Sequence, residues 1–68
     1  MGKSNTAKAI KIAMINAEIS VAAMAEKLNK PPTTISRWRT RGCDSITGLQ
    51  QIAKACGITL DELLELGA

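Results

Sequence analysis

Histidine, tyrosine and phenylalanine are missing from this chain, and tryptophan occurs once. Without imidazole or phenol the common proton shuttles of enzyme sites are absent, and no paired carboxylates converge from core positions, so the chain is not read as an enzyme. Two cysteines with no histidine fall short of the roughly four ligands a zinc site takes, so no metal is expected. No cofactor and no small-molecule ligand are expected either. Cys43 and Cys56 are read as reduced thiols of a cytoplasmic protein, Cys56 against the core and Cys43 in a loop. The apolar runs are far too short to cross a bilayer, and nothing resembles a secretory leader, so no membrane partner is expected. A core lacking rings must be aliphatic. At 68 residues the chain is read as one domain. A domain of that size buries only about 60% of its unfolded surface and has a small margin of stability.

Acidic residues are scarce in one half. Residues 1–41 hold Lys3, Lys8, Lys11, Lys27, Lys30, Arg37, Arg39 and Arg41 against Glu18 and Glu26. Residues 42–68 reverse the balance, with Lys54 against Asp44, Asp61, Glu62 and Glu65. The net charge of +3 conceals this asymmetry, which points to a polyanion on one side.

The basic half is organised around residues 20–39, SVAAMAEKLNKPPTTISRWR, which read as two short helices and a tight turn. Ser20 is a helix N-cap, its hydroxyl able to accept from an otherwise unpaired N–H. Asn29 tolerates the left-handed backbone of a sharp helix exit. Pro32 opens the next helix, at about 32–39, where a missing N–H costs nothing. Met24 and Leu28 share one face, Ile35 and Trp38 another, and Ala25 is small enough to let two helices nearly touch. That leaves Thr33, Thr34, Ser36, Arg37 and Thr40 outward, with Lys30 just before. This face offers donors, hydroxyls and positive charge and no carboxylate, the chemistry that suits base edges and phosphates.

Around this pair the periodicity predicts three more helices. Residues 1–5 are polar and expected to fray. Thr6–Ala17 carries Ile10, Met14 and Ala17 on its inner stripe with Ile15 at the edge. Asp44 or Ser45 caps a helix to about residue 55, with Leu49, Ile52, Ala53 and Cys56 inward. Gly48 within it weakens the helix by up to about 1 kcal/mol relative to alanine, which implies either close approach by a partner or an unoptimised exposed position. Gly57 ends that helix. Thr59 and Glu62 form a capping box for a last helix from Leu60, which seals the core with Leu63 and Leu64. The expected fold class is all-α, a compact five-helix domain.

With Met24, Ala25, Leu28, Ile35 and Trp38 in SVAAMAEKLNKPPTTISRW, followed by LQQIAKACGITLDELL, residues 6–66 resemble the lambda-repressor-like (phage Cro/repressor, XRE-type) helix-turn-helix family. Three positions depart from its common pattern. The usual turn glycine is Asn29. The glutamine that often opens the second helix is Val21. An arginine–glutamate pair between helices 1 and 3 is replaced by Met14 and Arg39, which frees Arg39 to add charge near DNA or to be solvated.

The resemblance implies a sequence-specific regulator that lays its third helix in the major groove of double-stranded DNA. Carried onto this chain, the base contacts fall to Pro32, Thr33, Ser36 and Arg37. Arg37 can bond guanine O6 and N7 together, and Thr33 can set its methyl against thymine. Phosphate contacts fall to Ser20 and Val21 at a helix N-terminus, and to Lys30, Thr34, Thr40 and Arg41. A weak homodimer on a pseudo-palindromic operator is expected through Ile46, Thr47, Gly48 and Leu60, with Ile46 and Leu60 as its apolar centre. The alternatives are an antitoxin or host regulator of the same fold, or an all-α protein-interaction module that has lost DNA binding.

Overall fold

The computed structural model describes residues 5–68, and the expectation of fraying at residues 1–4 lies outside them. The described residues form five helices and no strand: α1 (Thr6–Ala17), α2 (Val21–Leu28), α3 (Pro32–Arg41), α4 (Ile46–Cys56) and α5 (Leu60–Leu66). Asn5, expected to fray, is held instead. Its side-chain oxygen accepts from Lys8 N at 3.0 Å, capping α1, and its N–H donates to the Gly67 carbonyl at 2.9 Å.

Polar caps start most helices. Ser20 Oγ accepts from Ala23 N at 3.1 Å and Ser45 Oγ from Gly48 N at 3.2 Å. At α5 the capping box is complete, with Glu62 N donating to Thr59 Oγ1 and Thr59 N donating to Glu62 Oε1. Each satisfies a donor that the first turn would otherwise leave bare. Three exits are left-handed: Asn29 (φ 56°), Gly57 (φ 76°) and, less expectedly, Glu18 (φ 56°). In each the next N–H reaches back five residues, as in Ile19 N to Met14 O at 2.9 Å, which closes the helix end and redirects the chain.

Every helix contributes to the core. Ile10 and Met14 (α1), Met24 (α2), Ile35 (α3), Ile52 (α4) and Leu63 (α5) are fully buried, and among the described residues no polar or charged residue is buried with them. Each such side chain contributes about 1.5–3 kcal/mol through removal from water. Alanines 9, 13, 25 and 53 fill the gaps between them and permit close helix approach. The α1 stripe is therefore turned from its expected setting. Ala9 and Ala13 face in, Ala17 is half-buried and Ile15 stands 62% exposed. Both cysteines lie where expected, Cys56 against the core and Cys43 in a loop, but Cys43 is the more buried of the two. Cys43 is in its loop yet buried, its thiol donating to the Ser45 carbonyl at 3.5 Å, while Cys56 is half-buried.

Gly48 has its explanation within the chain. A Cβ there would lie 2.8 Å from Cys43 Sγ and 3.0 Å from the Trp38 ring, so the closely approaching group is the chain itself, and neither a second subunit nor a nucleic-acid backbone. This glycine leaves room for the Trp38 ring of α3 against α4, while α3 itself packs on α1 and α2.

Candidate nucleic-acid interface

Helices α2 and α3 meet through a three-residue turn, with Lys30 N donating to Ala25 O at 2.9 Å. Buried Met24 and Ala25 face buried Ile35 across the joint. Fixing Ile35 and Trp38 inward turns the opposite side of α3 out. Pro32, Thr33, Ser36, Arg37, Thr40 and Arg41 are all exposed and line one shallow concavity along the helix, which brings the four expected base contacts together. Helix α3 has no acidic residue and no capping side chain, because Pro31 stands at its N-cap.

The expected phosphate contacts fare differently. At the start of α2, Ala23 N is taken by Ser20 Oγ and Met24 N by the Ser20 carbonyl. The N–H groups of Val21 and Ala22 are left to face an anion at the positive end of the helix dipole. Arg41 is exposed, and Thr34 is half-buried. Lys30 sits with its ammonium 5.8 Å from the centre of the Trp38 ring, a cation–π arrangement that steadies the charge at the motif's edge. Thr40 donates its hydroxyl to the Ser36 carbonyl at 2.9 Å, and since phosphate oxygens only accept, that bond must break before Thr40 can serve a phosphate.

Two expectations need correcting. Arg39 is neither fully solvated nor on the outward side. It follows Ile35 by four residues, so it leans on the body, half-buried, with Nε sequestered and without a partner. That spacing was the available signal for its direction. Of the expected dimer residues, Ile46 (59% exposed) and Thr47 are at the surface, Gly48 is covered by Trp38 and Cys43, and Leu60 packs against the core. The apolar centre of that patch reduces to Ile46.

Burial pushes both the Cys43 and the Cys56 thiol above their ordinary range, keeping them neutral at physiological pH. Among the described residues no cluster of metal-binding side chains occurs, and no helix is long and apolar enough to cross a membrane.

Together, the short α2–α3 joint and the acid-free outward side of α3 define a helix-turn-helix domain. The helix-turn-helix family model matches residues 10–63, and the chain belongs to that family, the lambda-repressor-like (XRE-type) group of DNA-binding regulators. Among solved structures it is similar to FeII HppE, at 25% identity and a TM-score of 0.78 over 93% of this chain and 34% of that one. Apo-HppE matches with a TM-score of 0.74 at 25% identity, over 90% of this chain and 36% of that one. The hydroxypropylphosphonic acid epoxidase from S. wedmorenis shares the fold at 24% identity and a TM-score of 0.74, over 93% of this chain and 35% of that one. The chain thus spans about a third of the length of these solved chains. No curated protein sequence matches it significantly.

Proposed function

We propose that this chain is a sequence-specific transcription regulator of the phage Cro or small-repressor kind, without enzymatic activity. It sets α3 in the major groove of a pseudo-palindromic operator. The single observation that carries the reading is the outward side of α3, where six exposed residues share one concavity with two guanidinium groups and no carboxylate. The N-terminus of α2 and the charges of Lys30 and Arg41 then hold the flanking phosphates, which sets register without reading sequence. Two copies on adjacent half-sites, roughly 34 Å apart, meet weakly near Ile46.

Titration of generic duplex DNA against salt tests the reading. Each phosphate neutralised by a charged side chain adds about 0.9 to the slope of log affinity against log salt, so Lys30 and Arg41 together give a slope of roughly 2. A flat dependence favours the second reading, a protein-interaction module. The likeness to a segment of the longer HppE chains supports that second reading, since there the fold is part of a larger polypeptide. Sedimentation on a palindromic duplex tests the pairing, with a strict monomer counting against it.

A further inference from the structure

We propose that Gly48, Trp38 and Lys30 form a relay, in which a buried residue of α4 aims the phosphate-holding ammonium of the α2–α3 turn. The inference rests on Lys30 being a phosphate contact and adds what holds it ready.

Lys30 differs from its fellow lysines. Among the described residues every other lysine is exposed, whereas Lys30 is half-buried. Both of its ends are held. Its N–H donates to the Ala25 carbonyl at 2.9 Å, and its ammonium lies 5.8 Å from the centre of the Trp38 ring. The apolar stem is thereby laid along the body. A second sign puts the charge at the same corner of the molecule. Burial raises the Cys43 thiol, and the charge of Lys30 opposes that rise.

The ring has a seat of its own. A Cβ on Gly48 would lie 3.0 Å from Cη2 and 3.2 Å from Cζ2 of Trp38, and 2.8 Å from Cys43 Sγ. One edge of the indole thus fills the room that a side chain at position 48 would take, and any such side chain shifts the ring. What the ring offers Lys30 is its negative face, which attracts a cation within about 6 Å of the centre. An ammonium has three N–H donors, and the ring occupies one side of it, so the rest remain for phosphate oxygens. A lysine on a free stem gives up rotamer freedom when it grips a phosphate. Lys30 has given up much of that freedom before any DNA arrives.

A duplex selected from a random pool is the probe, bound by the full chain. The chain has one tryptophan, so fluorinated tryptophan enters at position 38 alone. Fluorine on Cε3 and Cζ3, away from the edge that meets Gly48, drains the negative face with little change of shape. From no fluorine to one to two, affinity falls in steps, by about 2-fold or more in all, since an exposed cation–π contact contributes about 2–5-fold. Lys30→Met keeps the stem and loses the charge. In it the salt slope drops by about 0.9 and fluorination has no effect. Gly48→Ala weakens binding in the wild type and not in Lys30→Met, with the folding of each variant followed by circular dichroism and urea. Fluorination without effect on the wild type, or fluorination or Gly48→Ala that acts equally with and without the Lys30 charge, overturns the relay. Salt-dependent binding in that case leaves the DNA-binding reading intact. An unaltered salt slope in Lys30→Met takes Lys30 off the phosphates and removes the relay with it. Failure to bind any duplex overturns both readings.

Discussion

Helices α3 and α5 both pack on α1, yet their outward sides are opposites. Helix α5 carries Asp61, Glu62 and Glu65 and no base, whereas α3 turns Arg37 and Arg41 outward, leans Arg39 on the body and carries no acid. The acids of α5 have a local reason to be there. Asp61 and Glu62 lie in its first turn, where the helix dipole favours negative charge, and Glu62 also closes the capping box. Helix α3 lacks both devices, and its first turn has neither a capping side chain nor an acid. Its start is instead served by the backbone, since Pro32 has no N–H to satisfy and Thr34 N donates to the Pro31 carbonyl at 3.0 Å. Helix α3 thus depends on its packing against the core rather than on a side-chain cap.

The contrast can be broken from the α5 side first. Leu63→Ala removes a fully buried side chain and should destabilise the fold by about 2–5 kcal/mol in urea unfolding, while folded molecules keep their preference for the selected duplex. On the α3 side, Arg37→Ala should leave unfolding unchanged and weaken the selected duplex by about 1–3 kcal/mol, relaxing choice at one base pair. Equal loss on all sequences would contradict the base-reading role.

A subtler exchange gives α3 what α5 already has. Thr33→Glu places an acid in its exposed first turn and should raise stability by about 0.3–1 kcal/mol through the helix dipole, while lowering duplex affinity by repulsion. Thermal melting and anisotropy titration should thus move in opposite directions. The smallest effect is expected from Lys30→Ala, which should weaken all duplexes alike and lower the salt slope by about 0.9. A change in base preference would mean that Lys30 has been given the wrong role.

The helix ends were legible in the sequence wherever one residue's own chemistry decides the backbone. Ser20, Asn29, Gly57 and the Thr59–Glu62 pair each act as their side chains require. Glu18 was not legible as a left-handed exit, because nothing in a glutamate favours that conformation, and the packing of Ile19 and Met14 imposes it. The setting of α1 was obscured by its alanines. A methyl group fits inside or outside, so the periodicity alone did not show that Ala9 and Ala13 go in while Ile15 goes out.

The outward side of α3 could be read directly, since burying Ile35 and Trp38 leaves only one way for Thr33 and Arg37 to point. What surrounds that side could not. The cover over Gly48 depends on Trp38 and Cys43 arriving from a preceding helix and loop, and the engagement of the Thr40 hydroxyl depends on a rotamer. Both follow from three-dimensional packing that a linear pattern does not encode.

The hydrogen bond from Asn5 N to Gly67 O, at 2.9 Å, has a practical consequence for protein engineering. Entry and exit of the five-helix unit coincide, and a Cβ on Gly67 would collide with the Asn5 carbonyl, so the seam tolerates no bulk. The unit can therefore be spliced into a surface loop of a host protein whose two cut ends stay almost in touch, with short polar spacers beyond the seam, and the host need not be pried apart to receive it.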